Sequence, residues 1–340
     1  MTGTIIGAGF ITGAELIGFF GTENFSVSVV IATILTAVVL LVVLKVLKNH
    51  KNEQYGVEKL LGGTKLYRIS TCFASLVFTA SMLAGIDALF NTVIDFGAFQ
   101  FCSLIVITVI SAFSKFGVKG LEKLNLFLMP LIIIAVNFLI FTKRGISVNA
   151  PSGIKLGNAL KVTLYVFMNT FIAIPVMRET VKNKSKKTLI ISSVAVSIII
   201  GFEAYTILSA IKNSGTNLSA EMPLYSALIK GGFSLTFFTS IFFCSLTSAF
   251  SAYYPLYTYA REKGKTFGII VSAIFTVAVS KLGLNGIVQY AYPIVGGLGA
   301  LFFVRCLFSI KNKTNADNNS IHLKCGGYYV KKKKEQKQSN

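Results

Sequence analysis

Acidic residues are scarce in this sequence. Thirteen Asp and Glu stand against 33 Lys and Arg in 340 residues, and charged residues make up only 14% of the chain. A soluble protein carries about 25%, so an ordinary water-soluble domain is excluded. Histidine is scarcer still: His50 and His322 are the whole supply, and both lie in polar stretches. With no His/Cys/carboxylate cluster at ligand spacing, no metal site is expected. The cysteines, Cys72, Cys102, Cys244, Cys306 and Cys325, are odd in number and include no CxxC pair. Four of them lie in apolar runs and read as small buried hydrophobes, without disulfide or ligand work. No basic stretch precedes the first apolar run, so no cleavable signal peptide is expected. Ser/His/Asp and Cys/His arrangements, phosphate loops and paired catalytic carboxylates are missing as well. Neither an enzyme nor an ATP-driven pump is therefore expected.

What the chain does contain is hydrocarbon. Hydrophobic residues make up 53% and the mean hydropathy is +0.68. Ten runs approach the length needed to cross a bilayer, at about 3–21, 26–47, 68–90, 99–114, 124–142, 159–177, 188–210, 233–260, 266–282 and 286–309. The formal net charge of +20 would suggest nucleic acid in a soluble protein, but here the basic residues cluster between apolar runs. A lipid bilayer is the expected partner and nucleic acid is not. With a cytoplasmic N-terminus, 26 of the 33 Lys and Arg fall in cytoplasmic loops or in the tail from Arg305. Both termini are thus expected inside a multi-pass protein of the cytoplasmic membrane. Residues 311–340, with Lys331 to Lys334 in sequence, read as a disordered basic cytoplasmic tail.

Ten helices divide into five plus five. An odd-numbered half is inserted upside down relative to the next, so the second half is expected to be an inverted copy of the first. The repeats would cover about 1–143 and 159–309 within a transmembrane domain of 1–310. Two details agree. Segment 1 is interrupted by glycines, and its counterpart, segment 6, is interrupted by Asn169 and Pro175. Segment 5 contains Pro130, and its counterpart, segment 10, contains Pro293 at similar depth. Interruptions at matching positions of two halves point to a transporter's binding site.

The opening stretch GTIIGAGFITGAEL places Gly3, Gly7, Gly9 and Gly13 ahead of Glu15. Backbone unwinds at membrane depth only where it lines a cavity or is buried in protein. Glycine makes that unwinding cheap. A break near Gly7, Ala8 and Gly9 would offer free N–H groups to an anion and free C=O groups to a cation or ammonium. Close helix packing is the competing reading, since Gly3/Gly7 and Gly9/Gly13 have small-xxx-small spacing. Glu15 tips the balance toward function, because an acid inside a membrane segment is a functional candidate by default. It is expected in the outer half of the first helix, facing the bundle, for charge compensation, proton coupling or tethering of the unwound segment.

GTIIGAGFITGAEL resembles the first-helix signature of YkvI-like membrane proteins, and MNTFIAIPVMRE (residues 168–179) is similar to the matching sixth-helix stretch. Those proteins are placed as permeases in the amino acid–polyamine–organocation superfamily, with the LeuT-type five-plus-five inverted repeat. The resemblance spans residues 1–310. It implies an all-α membrane protein of ten helices, with helices 1 and 6 broken. It also implies further residues ahead of the glycine motif, where Met1 here stands almost upon it. Gly7, Ala8, Gly9 and Phe10 would form the first break, and Phe167, Met168, Asn169 and Thr170 the second, together cradling a small zwitterion. In sodium-coupled members an ion sits between the first break and hydroxyls of the eighth helix. Thr247, Ser248 and Ser251 are the candidates here, with Thr236, Thr239, Ser240 and Ser245 equally available. Such hydroxyls also bond the carbonyl one turn back with no ion present.

Other acids and aromatics complete the expectations. Glu203 lies well inside segment 7 and is an ion-coupling candidate, whereas Asp87 reads as an interface acid. Arg178 and Glu179 close segment 6 at the cytoplasmic face and read as a helix-end positive-inside pair, with an inner-gate salt bridge as the alternative. Phe73, Ser75 and Phe78 are candidates for a pocket wall or for plain packing. Residues 219–230 are expected to form an external lid helix capped by Ser219. The expected function is secondary transport of an amino acid or related small amine by alternating access, with Na+ or H+ coupling and no other cofactor. The alternative is a membrane-embedded ligand sensor of the same fold, similar to spore-germinant receptor subunits, that binds without turnover.

Overall fold

A computed structural model describes residues 5–50, 57–58, 63–91, 101–143, 156–181, 184–215, 218, 220–229 and 234–310. Ser219 and the tail from 311 lie outside the described residues. The chain is a membrane protein, and its regular structure among the described residues is helical, without a strand. Among the described residues, seven helices are long and apolar enough to cross a bilayer.

The first apolar run is not one helix but two short ones, α1 (Ala8–Thr12) and α2 (Ala14–Phe20). Next come α3 (Phe25–Asn49), α4 (Thr64–Asn91) and α5 (Phe101–Phe113), which ends in a 3₁₀ turn over Ser114–Phe116. Then follow α6 (Gly117–Lys143), α7 (Leu156–Val181), α8 (Lys186–Ser214) and the short α9 (Pro223–Ile229). The last helices among the described residues are α10 (Leu235–Ser280) and α11 (Gly283–Ile310). The expected lid region is thus helical from Pro223, a residue pre-shaped for a first helical position.

Burial ranks the spans. In the most apolar window of α4, 78% of residues are buried, against 28% in α6 and in α11. α4 therefore runs through the middle of the bundle, packed along α10, while α6 and α11 lie at its periphery. The outward residues of α6, such as Leu126, Phe127 and Phe138, are large and exposed. In a membrane protein that is the lipid-facing side, because hydrocarbon imposes no cost on them.

α10 is longer than any bilayer requires. Its 46 residues would extend to about 69 Å as one helix, over twice the hydrocarbon thickness. Lys265, at φ 49° and ψ −133°, interrupts it. Tyr253 Oη meets Ser272 Oγ at 2.9 Å, although nineteen residues of straight helix would separate them by about 28 Å. A Cβ built on Gly268 would fall on the Ala260 carbonyl. α10 is therefore a tight antiparallel hairpin with its turn at Lys265.

Ion pairs brace the ends of the bundle. Arg178 pairs with Glu58 at 2.8 Å, Arg68 with Glu262 at 3.0 Å, and Lys281 with Asp87 at 3.5 Å. Arg178, near the end of α7, thus reaches across to Glu58. Asp87 also accepts the Ser103 N–H at 3.0 Å, tying α4 to the start of α5, as befits an interface acid.

Candidate functional site

The site begins where α1 fails to continue. Gly7 is extended, at φ −122° and ψ −169°, and Gly13 is left-handed at φ 85°. These two points isolate α1 as a single turn and a half between α2 and the chain before it. Gly13 needs its glycine twice over: the φ is one that side chains resist, and a Cβ there would strike Ile211 Cδ1.

The break frees the carbonyl of Ile6, and α10 satisfies it. Ser248 Oγ donates to it at 2.7 Å and Cys244 Sγ at 3.1 Å. Of the three hydroxyls expected around an ion, only Ser248 reaches the break. Thr247 donates to the Cys244 carbonyl at 3.0 Å and Ser251 to the Thr247 carbonyl at 2.9 Å, both within α10. Ser240 and Ser245 likewise bond carbonyls one turn back. Cys244 does more than the small hydrophobe expected of it.

Glu15 sits in the first turn of α2 with 1% of its surface exposed. Its side chain folds back over Gly9, where an added Cβ would land on the carboxyl group. The two glycines thus have separate duties: Gly13 turns the chain and Gly9 makes room for the acid. Glu15 Oε1 lies 2.9 Å from Tyr292 Oη, which lies 2.5 Å from Ser81 Oγ. Glu15 Oε2 is buried and makes no hydrogen bond. Tyr292 is fully buried, stacked on Phe78 with centroids 4.8 Å apart and planes 8° from parallel. Phe19 leans on both Tyr165 and Tyr292, and Phe20 meets Tyr165 edge-on. Phe78 is therefore a wall of the site, and Ser75 beside it on α4 is buried with no hydrogen bond from its hydroxyl.

The second break expected at Phe167, Met168, Asn169 and Thr170 is absent. α7 runs unbroken from Leu156 to Val181, through those residues and through Pro175. Asn169 Nδ2 donates to the Tyr165 carbonyl at 3.0 Å, turning inward to its own helix. On the other flank, a Cβ on Gly299 would collide with the Phe167 carbonyl, and one on Gly296 with that of Leu164. α11 thus lies directly on the α7 backbone and takes the space that an opened turn would need. Met168 is fully buried, while Asn169 Oδ1 and Thr170 Oγ1 are buried without partners. α7 therefore contributes side chains to the site, not freed backbone.

Glu203 belongs to a different place. It is 3% exposed in α8, and Asn137 Nδ2 of α6 donates to its Oε1 at 2.5 Å and to the Ile133 carbonyl at 2.9 Å. This is an interhelical polar clamp.

Sequence reading missed Tyr292 and Ser81, which complete the setting of Glu15. A signal for Tyr292 was present, because it immediately precedes Pro293 in QYAYP. A π-helical turn over Ile287–Ala291 sets the angle at which it enters the bundle.

No family model matches the chain. It is similar to the uncharacterized membrane protein YkvI of Bacillus subtilis (strain 168), at 34% identity over 140 residues. The match covers 39% of this chain and 40% of that protein, so the chain spans well under half the length of the curated relative it matches.

Proposed function

We propose that the chain is a secondary transporter of an amino acid or related small amine, and not an enzyme, built on a ten-helix LeuT-type inverted repeat. The observation that carries this reading is the first helix. It breaks at Gly7 and again at Gly13, packs its freed carbonyl on α10, and folds a buried acid over Gly9. Irregular backbone at membrane depth needs a purpose, and alternating access around a fixed central site supplies one.

The topology supports it. The hairpin of α10 turns seven candidate spans into eight, and the shorter apolar helix Cys102–Phe116 with the broken first helix brings them to ten. Each ion pair joins segments that the charge distribution assigns to the same side. Glu58, Arg68, Arg178 and Glu262 lie at the cytoplasmic end, and Asp87 and Lys281 at the external end.

The unbroken α7 favours the sensor as a second reading, because a site with one broken helix has one joint fewer with which to alternate.

One experiment tests both. The thermal stability of the purified full chain is measured with alanine, glutamate, lysine and putrescine, with and without sodium. A ligand at 100 times its dissociation constant adds about 2.7 kcal/mol to stability. A selective shift lost in Glu15→Gln, with counterflow of that compound in liposomes, is the expected result. A shift without counterflow selects the sensor, and no shift with any compound overturns both readings.

A further inference from the structure

The hydroxyl chain that ends on Glu15 has more links than hydroxyl protons. Glu15 Oε1 and Tyr292 Oη are 2.9 Å apart, Tyr292 Oη and Ser81 Oγ 2.5 Å, and Ser81 Oγ and the Phe78 carbonyl 2.8 Å. Each link takes one proton. Tyr292 and Ser81 bring one each, and a carbonyl brings none. Were Glu15 a carboxylate, one of the three contacts would set lone pair against lone pair. Filling all three requires a proton from Glu15 itself.

The surroundings agree. Glu15 Oε2 is buried and receives no donor, which suits half of a neutral acid far better than half of a charge. Among the described residues, the titratable groups facing Glu15 are Tyr292 of α11, Tyr165 of α7 and Cys244 of α10. All three are neutral types at neutral pH. Among the described residues no ion pair involves Glu15. The hydroxyls set out for a sodium ion, meanwhile, are turned to protein carbonyls: Ser248 to Ile6, Thr247 to Cys244 and Ser251 to Thr247.

We propose that Glu15 is held in this conformation as a neutral carboxylic acid whose Oε1–H donates to Tyr292, and that this is the proton the site exchanges during transport. The second clause rests on the transport reading; the first stands without it. In the filled state the order is Glu15 to Tyr292, Tyr292 to Ser81, and Ser81 to the Phe78 carbonyl. On release the Oε1–H bond breaks and the proton passes to water. Tyr292 then reverses to donate to Oε1, Ser81 reverses to donate to Tyr292, and the link to Phe78 lapses. One proton leaves and no other group changes charge.

The test is infrared difference spectroscopy on the full chain in lipid at neutral pH, in H2O and in D2O. The expected result is a carboxylic-acid C=O band that shifts in D2O, disappears in Glu15→Gln and survives in Glu203→Gln. Glu203→Gln is needed because Glu203 is also a buried acid. Should Glu15→Gln fail to fold, Tyr292→Phe reads the same point, since it keeps the acid and removes its acceptor. The band then moves in frequency. A Glu15→Gln spectrum that loses only a carboxylate band overturns the proposal, as does an acid band indifferent to Tyr292→Phe. The result is independent of flux: a chain that moves no solute can carry the band, and a chain that moves solute can lack it.

Discussion

α1 with α2, and α7, occupy equivalent places in the expected inverted repeat, and both carry helix-disfavouring residues at membrane depth. In the first the helix gives way; in the second it does not. The first pair has Gly7 extended and Gly13 left-handed, with the Ile6 carbonyl passed to Ser248 and Cys244. α7 keeps helical form through Asn169 and Pro175. The residues explain the contrast. A left-handed glycine reverses the local path and cannot be absorbed by a helix, whereas proline removes one ladder bond and leaves φ helical. Asparagine can bond the carbonyl four residues back and stay within the helix, as Asn169 does with Tyr165. Interruptions that look alike in a sequence thus differ in whether the helix can accommodate them.

The largest expected effect tests the break itself. Gly13→Ala meets a backbone cost of about 1–2 kcal/mol and an overpacking cost of about 1–3 kcal/mol against Ile211. Gly21 also has a positive φ, 70°, though its ψ of 178° sets it in another glycine-favouring region, and a Cβ there meets nothing within 4 Å. Gly21→Ala should therefore show the backbone cost alone. Gly7→Ala meets only the flexible end of Met82, with no unfavourable φ, and should be the mildest. Unfolding midpoints of the three variants in one detergent check the order. Equal losses would mean that the break does not depend on Gly13.

On the α7 side, Gly299→Ala is the matching challenge. Its Cβ would run into the Phe167 carbonyl, and backbone yields less readily than a side chain. A loss of about 1–3 kcal/mol is expected. If α7 instead opens at Phe167 in the resting protein, α11 has slack there and the variant should unfold like the wild type.

The Ile6 carbonyl gives a smaller effect. Ser248→Ala leaves it one donor, Cys244, and should cost about 1 kcal/mol. The Cys244→Ala/Ser248→Ala double variant orphans a buried carbonyl and should cost about 1–3 kcal/mol, more than the two single losses combined. Additive losses in that cycle would show that the two donors do not share one acceptor.

Much of this was legible in the sequence, for reasons specific to each feature. Apolar runs of membrane length mark spans because lipid forces backbone bonding within the segment. The residues of both α10 arms and the turn between them were readable from the basic stretch at 261–265. Glu15 was legible because a carboxylate has few reasons to stand in such a run. The unbroken α7 was not, because Asn169 is open to either a ligand or its own helix, and Gly299, which settles the matter, lies 130 residues away. Tyr292 escaped for the same reason: its partners Glu15, Ser81 and Phe78 come from two other helices, and no local pattern joins them. Ser248 could be named only as one hydroxyl among several, since helix rotation decides which one reaches the break.

The smallest expected effect falls on Asn169. Its amide donates to a carbonyl of its own helix, and alanine is the better helix former by a few tenths of a kcal/mol. Losing the bond and gaining propensity should nearly cancel, so Asn169→Ala is expected to unfold within about 0.5 kcal/mol of the wild type. Its Oδ1, buried and unpartnered, is the only part of it left to meet a ligand. The same variant therefore separates two roles. An unchanged unfolding midpoint with a weakened response to the ligand that stabilises the wild type assigns Asn169 to recognition across an intact helix. A large fall in the midpoint would mean that the side chain props a helix about to break, and the contrast between α7 and the first helix would be one of degree.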